Sequence, residues 1–192
     1  MISLNKESTE NKNITYKKIN LLDKNEMNDS ISSFNPIILI HLASMGMSGS
    51  AMLSTKCKEV NVDGTNQLIN ICLENNIPHF IYTSSYNVVF GGNEIINGDE
   101  SLPYYPTELH TDQYSATKGL AEAIVLLANN KKMKNGQPFM TSSIRPAAIY
   151  GTDEKRHFPR IIKHMDNGLF IFRIGQALVD WVHIDNLVSI YR

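Results

Sequence analysis

The stretch that decides the fold class is Pro36-Ile37-Ile38-Leu39-Ile40-His41. Its four apolar residues form one unbroken block, which is typical of a strand buried on both faces of a parallel sheet that helices cover. Working outward from this block, the sequence predicts five strands, over residues 14–19, 37–40, 80–83, 141–144 and 181–184. It predicts helices between them, over residues 23–33, 54–76, 112–129 and 158–167, and a last helix capped by Asp185. Either Thr111 or Asp112 can cap the third of these helices. This alternation predicts an α/β fold with a doubly wound parallel sheet.

Composition restricts the class of protein. The chain has 192 residues, of which 42% are hydrophobic and 19% charged, and this is ordinary for one soluble domain. A formal net charge of -1 gives no reason to expect a nucleic-acid partner. No apolar run approaches the ~20 residues of a membrane span, and the polar N-terminus carries no signal segment, so we expect a cytoplasmic protein. The cysteines Cys57 and Cys72 lack metal-binding spacing and are expected to be reduced.

The segment Tyr114-Ser115-Ala116-Thr117-Lys118 carries the sharpest chemical signal. Tyr114 and Lys118 are four residues apart on a predicted helix and therefore share one face. A nearby ammonium lowers the pKa of a phenol, so the pair can move a proton to or from a carbonyl or alcohol. The spacing alone also arises by chance on helix surfaces, and the pair is weak without a companion.

Ser85 is that companion. It follows the predicted strand 80–83 at its carboxyl end, where open α/β sheets bind ligands, and a hydroxyl there can hydrogen-bond a reacting oxygen. The alternative is a turn capped by a serine, which fits Ser84 better than Ser85.

Several further motifs follow one another in a specific order. They are His41-Leu42-Ala43-Ser44, Asn61-Val62-Asp63-Gly64-Thr65, Tyr82-Thr83-Ser84-Ser85, Arg145-Pro146 through Tyr150-Gly151, and Asp180-Trp181-Val182-His183-Ile184-Asp185. With the tyrosine and lysine they resemble the motif series of extended short-chain dehydrogenases/reductases. Three further stretches, residues 44–49, 87–92 and 97–103, resemble the 3β-hydroxysteroid dehydrogenase/isomerase family and its family 42E-like branch. The resemblance covers roughly residues 14–192.

The resemblance implies a role for each matching residue. Tyr114 would be the general acid/base, Lys118 would bind the nicotinamide ribose, and Ser85 would hold the substrate oxygen. The residues implied to lie along NAD or NADP are Asn20, Leu21, Ala43, Ser44, Tyr114, Lys118 and Pro146. The family more usually has an aspartate at the position of Asn20. Asn61 is interpreted as structural, a side chain that ties neighbouring loops together.

The resemblance also implies a domain division. Residues 1–13 would be a polar tail, residues 14–150 a partial dinucleotide-binding domain with the catalytic residues, and residues 151–192 the start of a substrate domain. The sequence contains no G-x-G-x-x-G loop, whose glycines admit the cofactor pyrophosphate to a helix N-terminus. We therefore expect a Rossmann-type sheet that lacks its first βαβ segment, in a chain truncated at both ends.

Three functional hypotheses remain open. The first is an oxidoreductase of the 3β-hydroxysteroid dehydrogenase type, acting on a sterol-like small molecule with NAD or NADP. The second is an inactive fragment or non-catalytic remnant of such an enzyme. The third is a nucleotide-sugar epimerase or dehydratase, which would share the serine, tyrosine and lysine. The sequence does not predict the oligomeric state or a metal site.

Overall fold

The computed structural model describes residues 14–47, 49–155, 157–169 and 178–192. The predicted tail, residues 1–13, lies outside the described residues. The helices are α1 (Lys24–Phe34), α2 (Lys56–Lys58), α3 (Gly64–Asn75), α4 (Gln113–Leu127), α5 (Phe158–Asp166) and α6 (Ile184–Ile190). The strands are β1 (Ile38–His41), β2 (His79–Thr83), β3 (Met140–Ile144), β4 (Ala148–Tyr150) and β5 (Trp181–His183). Three 3-10 turns cover Gly49–Leu53, Tyr86–Val89 and Thr107–Leu109.

The main sheet has the strand order β1-β2-β3, and all of its pairs are parallel. Its register aligns Ile38 with His79 and His79 with Met140, so the three carboxyl ends meet at one edge. β4 and β5 form a separate parallel pair. The α/β class and the parallel sheet predicted from the sequence are therefore confirmed.

The core lies between the sheet and two of its helices. Phe80 and Tyr82 of β2 are buried in one cluster with side chains of α3 and α4, including Leu68, Cys72 and Val125. Both helices therefore cover the same face of the sheet. Within the described residues, no helix is both long and apolar enough to cross a membrane.

One face of β1 departs from the prediction. The strand at residues 37–40 was expected to be buried on both faces, but Ile38 is 44% exposed and Ile40 is 42% exposed. The reason is that α3 and α4 cover the face of Leu39 and His41, which leaves the alternate side chains uncovered. The apolar block predicted the strand correctly but did not predict which faces are covered.

The other predicted elements differ in detail. Residues 14–19 form no strand, because their side chains are mostly exposed and no neighbouring strand pairs with them in the described part of the chain. The predicted helix 54–76 is interrupted by a π-helical turn, Glu59–Asp63, and β4 was not predicted. The N-cap of α6 is His183, whose Nδ1 accepts from the Asp185 N–H, so the predicted cap Asp185 lies in the first turn instead.

Candidate active site

The candidate site lies at the edge where the carboxyl ends of β1, β2 and β3 meet. Ala43 and Ser44 follow β1, Ser85 follows β2, and Pro146 follows β3. The Tyr86 N–H donates to the Pro146 carbonyl at 3.3 Å, which joins the segments after β2 and β3. Four predicted site residues therefore lie at the edge of the sheet where such folds bind ligands.

Ser85 begins a capped turn. Its hydroxyl accepts from the Asn87 N–H at 3.3 Å and caps the turn Tyr86–Val89. The capping residue is thus Ser85 and not Ser84, whose buried hydroxyl has no hydrogen-bond partner among the described residues. A serine oxygen can accept this N–H and still donate its own hydrogen to a substrate oxygen, so the cap and the predicted role are compatible.

The start of α4 is fixed to this turn. Asp112 is the N-cap of α4, and its carboxylate accepts from the Ser115 N–H at 2.7 Å and from the Ser115 hydroxyl at 2.9 Å. The Asn87 amide in turn donates to the Ser115 hydroxyl at 3.2 Å. Tyr114, in the first turn of α4, is half-buried beside this network. The acid N-cap thus positions the helix that carries the tyrosine and lysine.

Lys118 lies one turn further along α4 and is only 1% exposed. Its Nζ donates to the Thr83 carbonyl at the end of β2 and lies 4.1 Å from the centroid of the Tyr82 ring. Burial lowers the pKa of Lys118 to about 7, and the negative charge of Glu122 opposes that shift. The Lys118 amine is therefore present in both its neutral and its ammonium form near neutral pH. Small changes in the charges around it alter the balance between these two forms.

Glu122 and its partners are a part of the site that the sequence analysis missed. Glu122 is 1% exposed, and its Oε1 accepts from Arg145 Nε at 2.8 Å, from Arg145 Nη2 at 2.7 Å and from the Tyr104 hydroxyl at 2.9 Å. The signal was present in the spacing, since Tyr114, Lys118 and Glu122 recur every four residues on one helix.

The loop after β1 is held by one buried amide. The Met45 N–H donates to Asn61 Oδ1 at 2.7 Å, and Asn61 Nδ2 donates to the Met45 carbonyl at 2.9 Å and to Thr117 Oγ1 at 2.9 Å. Next in the loop, Gly46 has a φ of 93°, and a Cβ built on it would lie 3.4 Å from the Tyr114 Cβ. The loop with Ala43 and Ser44 therefore meets α4 at the tyrosine. The structural interpretation of Asn61 agrees with these contacts.

His41 closes β1 beneath the site. It is 3% exposed, and its Nε2 lies 3.0 Å from the Thr65 hydroxyl. Because that hydroxyl donates its hydrogen to the Asn61 carbonyl at 2.6 Å, it accepts from the imidazole. Burial, together with the charge of Lys118, lowers the pKa of His41 to about 4. His41 is therefore neutral across the physiological pH range.

Asn20 and Leu21 have different surroundings from the catalytic residues. Asn20 is exposed and caps its own turn, accepting from the Leu22 N–H at 3.1 Å. The Leu21 carbonyl accepts from the Gln67 amide at 3.1 Å, and the Leu21 side chain packs against Gly64 at the start of α3. These contacts connect the predicted adenine-side residues to α3, whereas Ser85 and Lys118 are connected to β2 and α4.

The residues present fit one part of a dinucleotide. Ala43 and Ser44 are half-buried in the loop that meets α4 at Tyr114, and the Ser84 hydroxyl is buried without a described partner at the same edge. These groups suit the nicotinamide and its ribose, which need hydroxyl and amine partners near the reacting carbon. The glycines Gly46 and Gly49 follow β1 without opening a long helix, so they do not form a pyrophosphate loop.

Comparisons with known proteins show the family of this chain. The model of the 3-beta hydroxysteroid dehydrogenase/isomerase family matches residues 2–191. Short-chain dehydrogenase/reductase family 42E member 1 of Danio rerio is 52% identical over 155 residues, covering 79% of this chain and 40% of the relative. Sterol-4-alpha-carboxylate 3-dehydrogenase, decarboxylating, of Schizosaccharomyces pombe is 36% identical, covering 80% of this chain and 42% of the relative. The chain thus spans about two fifths of the length of these relatives.

Solved structures support the fold. The Bordetella bronchiseptica enzyme WbmH in complex with NAD+ matches with a TM-score of 0.74 at 17% identity, over 95% of this chain and 57% of that one. UDP-glucose 4-epimerase of Thermotoga maritima, with UDP-glucose, matches with a TM-score of 0.73 at 18% identity, over 93% of this chain and 58% of that one. At these identities the likeness concerns the course of the backbone.

Proposed function

Because the chain belongs to the 3-beta hydroxysteroid dehydrogenase/isomerase family, we propose that it is part of an oxidoreductase that acts on a sterol-like alcohol or ketone with NAD or NADP. The family resemblance seen in the motifs is confirmed by these matches. One observation carries the proposal. Tyr114 and Lys118 share a face of α4, and Lys118 is fixed to the end of β2 two residues before Ser85.

These residues have complementary parts in the proposed chemistry. Ser85 donates a hydrogen bond to the substrate oxygen, and Tyr114 exchanges the proton of that oxygen. Lys118, in its ammonium form, favours the phenolate of Tyr114 and donates to the ribose. Bound NAD or NADP supplies or accepts the hydride. Ala43, Ser44 and Pro146 line the same edge of the sheet and orient the nicotinamide against the substrate carbon.

The names of two relatives favour sterols over sugars as the substrate class. The Schizosaccharomyces pombe relative is a sterol-4-alpha-carboxylate 3-dehydrogenase, and an Arabidopsis thaliana protein that is 39% identical over 132 residues is a 3beta-hydroxysteroid-dehydrogenase/decarboxylase. A nucleotide-sugar epimerase or dehydratase is the second candidate. Its support is the backbone likeness to the Thermotoga maritima UDP-glucose 4-epimerase, which shares the fold at 18% identity.

A chimera tests the proposal. The matched 155-residue segment of the Schizosaccharomyces pombe sterol-4-alpha-carboxylate 3-dehydrogenase is replaced by the corresponding segment of this chain, and oxidation of a sterol-4-alpha-carboxylate is followed through the absorbance of the reduced cofactor. Tyr114→Phe is expected to lower turnover at least ~100-fold, the usual scale for loss of a general acid/base, with little change in cofactor affinity. Lys118→Ala is expected to lower both turnover and cofactor affinity.

Tyr86, an exposed tyrosine in the 3-10 turn that follows β2, provides a matched control for Tyr114→Phe. Tyr86 is 37% exposed, and its ring packs beside Phe90, with 6.4 Å between the ring centroids. Tyr86→Phe retains that packing and is expected to leave turnover within about twofold of the wild type, because a surface hydroxyl contributes little. Unchanged turnover in Tyr114→Phe would refute the proposed mechanism. Activity of the chimera on a nucleotide sugar, with none on a sterol, would favour the second candidate.

A further inference from the structure

We infer that Glu122 is a positioning residue that favours the ammonium form of Lys118 beside Tyr114. Arg145 and Tyr104 hold the Glu122 carboxylate in place for this role. The catalytic consequence rests on the function proposed above, but the interaction between the two side chains does not.

The carboxylate of Glu122 is bound unevenly. Its hydrogen bonds from described residues, two from Arg145 and one from Tyr104, are all made to Oε1. Oε2 is buried and has no hydrogen-bond partner among those residues. Buried carboxylate oxygens are normally satisfied, so Oε2 is the part of the Glu122 carboxylate that no described donor occupies.

The position of Glu122 on α4 identifies that use. Lys118 precedes it by four residues, so the two side chains lie on the same face about one helical turn apart. Both are 1% exposed, and in such a site charges interact far more strongly than in water. Burial favours the neutral amine, and the Glu122 charge favours the ammonium.

The groups that face this pair come from several elements. Lys118 is faced by the Thr83 carbonyl and the Tyr82 ring of β2 and by the neutral His41 of β1, and Tyr114 precedes it by four residues on its own helix. Glu122 is faced by Arg145 after β3 and by Tyr104 from the loop before α4. The hydroxyl of Tyr82 is affected by both Tyr114 and Glu122. Burial and the negative charges of these two side chains all raise the pKa of Tyr82, which keeps its hydroxyl neutral. Glu122 is therefore the anion that acts on Lys118 from its own helix.

A double-mutant cycle tests the inference without any catalytic assay. Unfolding by urea is measured at pH 6 and pH 9 for the wild-type chain, Glu122→Gln, Lys118→Met and the double variant. Because the pKa of Lys118 is about 7, the amine is charged at pH 6 and neutral at pH 9. We expect a coupling factor of about ten in the unfolding equilibrium constants at pH 6, within the usual range for interacting side chains, falling toward one at pH 9.

The control replaces an exposed carboxylate of the neighbouring helix. Glu74→Gln on α3 is expected to show a coupling factor of one with Lys118→Met at both pH values. A Glu122–Lys118 coupling that is the same at pH 6 and pH 9, or absent at both, would show a merely structural role and overturn the inference.

A second measurement keeps the test decisive if Glu122→Gln does not fold. Glu122→Asp retains the charge but withdraws it by one methylene, so the midpoint of the Lys118 titration, followed by NMR of 13C-labelled lysine, is expected to move to lower pH. An unmoved midpoint would contradict the inference.

In the active chimera, Glu122→Gln is expected to move the acid limb of the turnover–pH profile to higher pH, because a neutral Lys118 no longer favours the Tyr114 phenolate. An inactive chimera would count against the proposed function alone, since the unfolding cycle would still stand.

Discussion

Replacing His41 with glutamine is expected to make the protein less sensitive to acid. The imidazole is buried under the site and donates through Nε2 to the Thr65 hydroxyl, which is 3.0 Å away. A glutamine amide can donate to the same hydroxyl but cannot take up a proton. The variant therefore removes the titration while retaining a hydrogen-bond donor.

The size of the effect follows from the pKa of His41. Burial and the Lys118 charge lower it from 6.5 to about 4. Since each tenfold change in proton affinity corresponds to about 1.4 kcal/mol, this difference is worth about 3 kcal/mol. Above pH 6.5 the histidine is neutral in both the folded and the unfolded chain, and this stability is fully present. As the pH falls, the unfolded chain binds the proton first, so stability is lost from about pH 6.5 down to about pH 4.

Urea unfolding followed by far-UV circular dichroism at pH 7.5, 6, 5 and 4 measures this loss. The wild-type free energy of unfolding should fall by about 3 kcal/mol more than that of His41→Gln over this range. His79→Gln at the exposed start of β2 is the control, and it should follow the wild-type curve. Parallel curves for the wild type and His41→Gln would refute the reasoning, because they would mean that the buried imidazole binds protons equally well in both states.

Three further predictions concern the same region. Lys118→Met is expected to raise the free energy of unfolding at pH 7 by about 4 kcal/mol, because burial has lowered the amine pKa from 10.5 to about 7 in the folded chain. In urea unfolding at pH 10.5, where only half of the unfolded amines are still charged, this gain should fall to about 0.4 kcal/mol. Asn61→Ala removes three hydrogen bonds and should destabilise the fold by about 3 kcal/mol in the same assay, whereas Asn66→Ala, at an exposed position, should change stability by less than about 0.5 kcal/mol. Excess NAD or NADP should leave the melting temperature of the 192-residue chain unchanged, because its sequence contains no glycine-rich pyrophosphate loop. A bound ligand at ~100 times its Kd would add about 2.7 kcal/mol, so a clear rise on calorimetry would show that other residues replace that loop.

The sequence was informative wherever a local pattern decides the structure. The apolar blocks at residues 37–40 and 80–83 predicted β1 and β2 to within one residue, because a short apolar run between turn residues has few other stable uses. A capping residue at Thr111 or Asp112 predicted the start of α4, since a side-chain oxygen before a helical pattern satisfies the free N–H groups of the first turn. Asp112 is the one of the two that caps the helix. The assignment of Ser85, Tyr114 and Lys118 to catalysis is still a prediction, and Tyr114→Phe and Lys118→Ala test it for two of the three residues.

Other features depend on contacts between distant segments, which no local pattern records. The exposure of Ile38 and Ile40 follows from which face α3 and α4 cover, and that is a property of the packing. The network of Glu122 joins α4 to Arg145 and Tyr104, which lie 23 and 18 residues away along the chain. Residues 14–19 have the composition of a strand, but a strand also needs a neighbour, and composition does not supply one.

The side chain of Asn61 has a consequence for motion. It projects from the π-helical turn and joins the loop after β1 to Thr117 in α4, 56 residues away. Segments that share one buried amide do not open independently. When one segment moves away, the polar groups of the others stay buried without hydrogen-bond partners, which is costly in free energy. Their backbone amides should therefore exchange hydrogen with solvent at a common rate, set by a single opening event that releases the Ala43–Met45 loop and the tyrosine-bearing turn of α4 together.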